Sequence, residues 1–192
     1  MANYTKKAIL ATFESMLNDM PFEKITVSAI VAKCEISSNT FYYHYRDIYG
    51  LLEAWLEGKK NALLENQHSD DLWEAEALKK LLHMMQDNQS LVYHVFNSVS
   101  RERLERYIFD QVETLFRQLV HERAKAYCVP EKTERDIASL YCYSILGFVI
   151  KFIWIHMNVD VEASVDRMMD SFTGSFDYLI HKAAQTDGHP LG

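Results

Sequence analysis

The chain has 192 residues, 48% of them hydrophobic and 24% charged, with a formal net charge of -7. That length can bury a core without disulfide or metal support, and the balance is that of a soluble, mildly acidic protein. Six Gly and three Pro are too few for the turns of a sandwich or barrel or the junctions of a doubly wound sheet, which points to an all-α chain; the acidic balance argues against indiscriminate coating of nucleic acid but leaves room for a local footprint.

Ile9, Phe13, Met16, Leu17 and Met20 recur at helical spacing over 6–20. Pro21 ends that helix, because proline disfavours a helical residue before it. Thr26, a good N-cap, opens a second helix with Val27, Ile30, Val31 and Cys34 at i, i+3, i+4 and i+7. A third, equally short helix has Ser37 as its N-cap and Phe41 as its inward anchor. A fourth, from about Asp47 to Asn66, carries Leu51, Leu52, Trp55 and Leu63 on one face. Two short helices joined by a tight turn and braced by longer ones form a helix-turn-helix unit, though the same spacing also fits the end of a plain helical bundle. Further helices are expected over 70–86, 89–98, 101–127, 131–157 and 161–184, with breaks at Val129-Pro130 and Asn158-Val159-Asp160, and a frayed tail from Gln185. The chain then divides into a head over 1–66, which includes the connecting helix 47–66, and a helical body over 67–192.

Cys34, Cys128 and Cys142 are widely spaced, with no CxxC and no Cys/His ligand spacing. Buried thiols in a reducing cytoplasm are the expectation. The first residues have no apolar stretch or cleavage site of a signal peptide. Ala138 to Met157 is a run of twenty residues with one formal charge, Lys151. It is long enough to span a bilayer, but it continues a charged helical start and carries Ser139, Ser144 and His156, so a buried or interface helix is expected and no membrane partner. His83, His94, His121, His156 and His181 are scattered without an i, i+4 pair, which gives no metal site. No nucleophile with a base, catalytic carboxylate pair or Gly-rich phosphate loop is evident, so neither an enzyme nor a cofactor is expected.

Charge divides the chain. Residues 1–46 hold five Lys or Arg against four acids, whereas 67–192 hold thirteen against nineteen. A head of this kind relies on hydroxyl, imidazole and backbone donors more than on cations to meet phosphates. The third helix supplies them: Ser38, Asn39, Tyr42 and Tyr43 share one face opposite Phe41. Asn pairs bidentately with adenine and a Tyr ring meets a thymine methyl, while Tyr42 and His44 can donate to phosphate oxygens, which set register without reading sequence.

Ile25-Thr26-Val27-Ser28-Ala29-Ile30-Val31-Ala32-Lys33-Cys34 followed by Ile36-Ser37-Ser38-Asn39-Thr40-Phe41-Tyr42-Tyr43-His44-Tyr45 resembles the TetR/AcrR family of bacterial transcriptional regulators. With Pro21-Phe22-Glu23-Lys24 it is most similar to the DhaS-type branch of that family. The resemblance covers roughly residues 4–60; beyond residue 66 only the helical layout agrees. It implies a homodimer with a three-helix helix-turn-helix DNA-binding head and a C-terminal helical bundle for ligand sensing and dimerisation. Carried over by position, Ser38, Asn39 and Tyr43 face bases of a double-stranded operator, and Thr26, Ser28, Thr40, Tyr42 and His44 face phosphates. Glu35 stands where the family usually has a turn glycine, and Ile48 where it usually has a lysine that meets phosphate. Arg46 compensates for the latter in part.

In the body, Met84, Met85, Tyr93, Phe96, Tyr141, Tyr143, Phe148 and Phe152 offer an apolar pocket lining with a few hydroxyls, or else an ordinary core. Ile137, Leu140, Tyr141, Ser144, Ile145, Phe148, Phe152 and Ile155 recur on a helix apolar nearly all round, so one face packs on its own body and another needs a partner. Gly147 and Gly174 would let helices of two subunits approach closely. The reading is a cytoplasmic, homodimeric DNA-binding regulator controlled by a small molecule or a protein co-regulator. The competing class is a helical protein–protein adaptor whose head has lost DNA binding.

Overall fold

The computed structural model describes residues 2–64, 75–97, 101–127, 129–172 and 174–186, and these contain ten α-helices and no strand. The chain forms two compact units, one of Met1–Asp70 with Met84–Leu104, the other of Asp71–His83 with Glu105–Gly192. The expected boundary after residue 66 lies outside the described residues. Residues 84–104, placed with the body by the sequence, cluster with the head.

The first unit contains α1 (Ala2–Asp19), α2 (Val27–Lys33), α3 (Ser38–His44), α4 (Ile48–Leu64) and α6 (Gln89–Phe96). A single 3-10 turn, Phe22–Lys24, follows Pro21 and was not anticipated from the pattern. Ile9, Phe13, Leu17, Ile30, Phe41 and Leu51 are fully buried, so the apolar stripe of each short helix points into one core. Phe13 meets the rings of Phe22 and Trp55 edge-on, with centroids 6.2 and 6.4 Å away, an arrangement that suits the ring quadrupoles. The Trp55 indole N–H donates to Glu14 Oε2 at 2.9 Å and Lys59 Nζ to Glu14 Oε1 at 2.7 Å, tying α4 to α1. Partial burial pushes the Glu14 carboxyl up, but the hydrogen bonds from Lys59 and Trp55 outweigh it and hold the group below its usual value.

Pro21 has a second effect. The carbonyl of Leu17 would accept from the amide four residues on, and proline has no N–H. His94 Nδ1, on α6, lies 2.7 Å from that carbonyl. Since a carbonyl only accepts, the ring holds its proton on Nδ1. A helix end left open by its own stop signal is thus closed by a residue 77 positions away.

The second unit is built on α7 (Arg101–Ala124), α8 (Glu131–Trp154), α9 (Val161–Phe172) and α10 (Ser175–Thr186), with the first part of α5 (Ala75–Asp87). Its core joins Phe116 and Val120 of α7, Ile137, Ala138, Tyr141, Cys142 and Ile145 of α8, and Ile180 of α10. Burial pushes the Cys142 thiol up to about 11, which keeps it protonated and inert. Lys79 reaches Asp166 at 2.7 Å, and His83 reaches Glu162 at 2.7 Å, pinning α5 to α9. Among the described residues, α8 alone is long and apolar enough to cross a membrane, yet one side of it is packed inside this unit.

Two helix ends differ from expectation. The single helix expected over 161–184 is broken into α9 and α10 at Gly174, whose φ of +75 an L residue adopts only at a cost of about 1–2 kcal/mol. A Cβ at Gly174 would meet no atom within 4 Å. Its glycine therefore serves a backbone break and not close helix packing inside the protomer. The helix expected to reach Met157 stops at Trp154: the His156 amide donates to Ile153 O at 3.0 Å and the Met157 amide to Phe152 O at 2.8 Å. This is the crossed pair of a Schellman motif, with His156 at φ 59 and Met157 at φ 55.

The His94 bond is testable by deletion. His94→Ala leaves the half-buried Leu17 carbonyl without a donor, and urea unfolding is expected to register a loss of about 1–3 kcal/mol. An unchanged midpoint would show that water serves that carbonyl equally well.

Candidate nucleic-acid interface

The geometry of α2 and α3 follows from how each begins and ends. The Thr26 hydroxyl accepts the Ala29 amide at 3.2 Å and lies 3.0 Å from Ser28 Oγ, so both residues sit at the start of α2 as a shared cap. At the other end the Glu35 amide donates to Ala32 O at 3.3 Å and the Ile36 amide to Val31 O at 3.2 Å. These two bonds make another Schellman motif. Its left-handed residue is Glu35, with φ 53, where glycine would sit without strain. The neighbouring Cys34 thiol donates to Thr12 Oγ1 at 3.2 Å, and Lys33 Nζ reaches Ser15 Oγ at 3.5 Å, so α1 holds the strained turn from outside.

Ser37 then caps α3. Its Oγ accepts the Thr40 amide at 3.0 Å and lies 2.8 Å from Thr40 Oγ1. Phe41 is fully buried and is met edge-on by the Tyr42 ring at 5.5 Å. With that anchor inward, Ser38 and Asn39 are exposed, Tyr42 is 56% exposed and Tyr43 80%. Thr40 and His44 flank this face half-buried, with the His44 ring 5.1 Å from Tyr43. Arg46 Nε bonds Asp47 Oδ2 at 3.3 Å and otherwise stands in solvent. Asp47 accepts the Gly50 amide at 2.8 Å as the N-cap of α4; that bond, with the Arg46 charge, holds its carboxyl below the usual range. Ile48 is half-buried behind it.

All nine sequence-expected positions therefore lie on one capped helix-turn-helix, but they do not stand alike. Ser38, Asn39, Tyr42 and Tyr43 present free-standing amide, hydroxyl and phenol groups on one outward face. Thr26 spends an oxygen lone pair on capping α2, as Ser37 does for α3, and the hydroxyls of Thr26 and Thr40 are each in hydrogen-bond contact with a neighbouring serine, Ser28 and Ser37. Such a surface carries donors and acceptors with little net charge, which suits discrimination of base edges more than bulk attraction to phosphate.

Tyr45, at the end of α3, was not singled out from the sequence. Its side chain is buried against Phe41 at 5.7 Å between ring centroids, and its hydroxyl has no partner among the described residues. Burial pushes its pKa up to about 12. Its position four residues after Phe41 puts it on the buried side of the helix, away from its exposed neighbours.

The body residues need redistribution. Of the eight expected to line a pocket, Met84, Met85, Tyr93 and Phe96 belong to the first unit and Tyr141, Tyr143, Phe148 and Phe152 to the second. Tyr141 is a core residue whose hydroxyl lies 2.8 Å from Ser175 Oγ among the rings of Phe116, Phe172 and Phe176. Tyr143, two residues on, is 63% exposed with its ring 4.7 Å from Phe109. Two residues are 200° of helix turn, so Tyr141 and Tyr143 cannot line one cavity. Of the positions expected at a subunit seam, Ile137, Tyr141, Ile145 and Phe152 are buried in the protomer's own core and Ser144 and Phe148 half-buried. Of the large apolar ones Leu140, at 53% exposure, and Ile155, at 40%, face out. The outward stripe is instead Leu140, Tyr143, Gly147, Lys151 and Trp154.

A family described as "Transcriptional regulator C-terminal region" matches residues 73–174, more than half of the chain, and one described as "Bacterial regulatory proteins, tetR family" matches 9–55. The HTH-type dhaKLM operon transcriptional activator DhaS of Lactococcus lactis is 28% identical over 122 residues, 63% of this chain and 63% of that protein, so the match spans less than two thirds of the relative's length. A solved dihydroxyacetone kinase operon activator DhaS aligns with TM-score 0.65 at 20% identity, covering 91% of this chain and 97% of that one. NalD of Pseudomonas aeruginosa, the secondary repressor of the MexAB-OprM multidrug efflux pump, aligns with TM-score 0.55 at 16% identity, covering 90% and 95%. At these identities the solved structures share the fold.

The orphaned phenol makes a prediction. Tyr45→Phe deletes an unpartnered buried hydroxyl and is expected to add about 1 kcal/mol in urea unfolding at neutral pH. The folded state favours the neutral phenol, so that contribution is intact below the unfolded pKa of about 10 and is lost as pH rises towards about 12. The gain from Tyr45→Phe should therefore widen in that alkaline window. A lower midpoint in the variant would reveal a partner for the hydroxyl.

Proposed function

The chain belongs to the TetR family of transcriptional regulators, and from that membership we propose that it acts as a homodimer that reads a palindromic operator with α3 and answers to a small molecule or a protein co-regulator. It is a regulator and not an enzyme. The observation that carries the reading is the outward face of Ser38, Asn39, Tyr42 and Tyr43, fixed by the buried Phe41 on the other side of one short helix. Its place of work is the cytoplasm, where double-stranded DNA is reached. Relatives with this fold are named as an activator and as a repressor, so the sign of regulation is no part of the proposal.

Roles follow from the chemistry of each side chain. Asn39 has the amide geometry for a bidentate bond to adenine, and Tyr43 the most exposed ring for a base edge or thymine methyl. Ser38 sits beside them. Tyr42, His44 and the outer nitrogens of Arg46 meet phosphates, with Ser28 and the hydroxyls of Thr26 and Thr40 at the groove margin. A dimer presents two such helices about 34 Å apart, one turn of duplex. A signal acts only if it binds one spacing of the heads better than another, since equal affinity for both shifts nothing.

The dimer seam is assigned to the outward stripe of α8, where Leu140, Tyr143 and Trp154 are exposed. Gly147 lies among them, and a Cβ there would meet nothing within 4 Å, which leaves room for a partner helix. Light scattering at micromolar concentration should give the mass of two chains, and Leu140→Glu with Tyr143→Glu should give one, because two charges would be buried unpaired. A monomeric wild type would remove the homodimer.

DNA reading is tested by selecting a palindromic duplex from a random library and comparing it with random duplex. Asn39→Ala is expected to cost about 1–3 kcal/mol on the selected site and much less on random duplex. Tyr42→Phe should weaken both alike. If the wild type prefers no duplex, the head does not read DNA and a protein–protein adaptor is the better description.

A further inference from the structure

Along α2, the turn and α3 the basic side chains are few. Lys33 is turned towards Ser15, Arg46 leans on Asp47, and Glu35 adds a negative charge at the turn. A face with so little free charge reads bases well but grips phosphates poorly. Anchoring must come from elsewhere on the head, and α1 supplies a candidate.

The contacts between α1 and the end of α2 run in step. Lys33 meets Ser15, while Cys34 meets Thr12 Oγ1 at 3.2 Å and the Ala8 carbonyl at 3.9 Å. Ser15, Thr12 and Ala8 form one stripe, and Tyr4 continues it one turn further, about 6 Å along the axis at 1.5 Å per residue. The contacts with the end of α2 stop at Ala8, so Tyr4 lies one turn of α1 beyond the residue that Cys34 touches. Tyr4 is 82% exposed, and Lys7, three residues on and on the same solvent side, is exposed too. Neither makes a hydrogen bond or ion pair among the described residues. Lys6 is exposed as well, but it lies 200° of helix turn from Tyr4, on the stripe that continues into the core through Ile9 and Phe13.

We propose that Tyr4 and Lys7 form a second contact zone for duplex DNA, gripping phosphates that flank the half-site read by α3. The zone lies one turn of α1 beyond its contact with the end of α2, and it brings a phenol donor and a cation to a polyanion where the reading face has almost none. This rests on the reading of the head as a DNA-binding unit. It adds affinity without sequence information, so that α3 is left to discriminate.

The test uses the full chain, a palindromic duplex selected with the wild type, and random duplex of equal length, at two salt concentrations. Lys7→Gln and Tyr4→Phe are each expected to weaken binding to both duplexes by the same factor, leaving the preference between them intact. Lys7→Gln should also lower the salt slope by about 2, one phosphate per head, so that the wild-type advantage shrinks about tenfold between roughly 50 and 200 mM salt. Lys6→Gln carries the same charge change on the other side of the helix and should retain most of the wild-type slope. Because all three side chains are exposed, thermal unfolding should not move, which separates lost contact from lost fold. If the wild type prefers no duplex, the DNA reading itself fails. If it does prefer one, yet Lys7→Gln keeps the wild-type slope or Lys6→Gln loses as much as Lys7→Gln, the contact zone alone is overturned.

Discussion

The head depends on how α2 stops. A helix that must end within seven residues and hand over to another at once needs one residue in the left-handed region, and here that residue is Glu35. The strain, of order 1 kcal/mol, is held by bonds on every side: two crossed amide–carbonyl bonds within the turn, the Cys34 thiol on Thr12, and Ser37 capping the next helix. Once the turn is set, the orientation of α3 follows. Phe41 enters the core, and the four outward side chains have no choice but solvent. Moving that turn by one residue would rotate α3 by 100° and turn Thr40 or Tyr42 inward in place of Phe41.

The same economy of charge runs through the head. Its polar groups are spent in two ways, on caps and on the outward face, and cations are largely engaged or displaced to the edges. Hydroxyls and amides make directional bonds that reward the right base edge, whereas lysines attract any phosphate. On the proposed reading such a surface would give up affinity for discrimination, and the acidic body would do nothing to offset that at long range.

In the body, α8 answers two demands with two faces. Ile137, Tyr141, Ile145 and Phe152 fill the protomer's core, while Leu140, Tyr143 and Trp154 remain outside it. That division explains why the helix reads as apolar all round and passes by length and composition for a membrane span. Nearly uniform hydrophobicity here combines a face packed in the core with a face that the proposed dimer would cover. The left-handed pair His156 and Met157 ends α8, and the glycine at 174 separates α9 from α10.

What the sequence determined by itself was whatever local rules govern: the helical class, the stop at Pro21, the caps Thr26 and Ser37, and the inward Phe41 with its outward companions. Each depends on residues within one or two turns, so periodicity and capping chemistry suffice. Only the tertiary structure decided the features that join distant positions. His94 serves the carbonyl that Pro21 orphans, the buried Tyr45 hydroxyl is left without a partner among the described residues, and the apolar positions of α8 are sorted into buried and exposed. The break at Gly174 lay between the two cases: the glycine was visible, but its positive φ was not, because a glycine inside an apolar-periodic run looks the same whether it admits a neighbouring helix or ends its own.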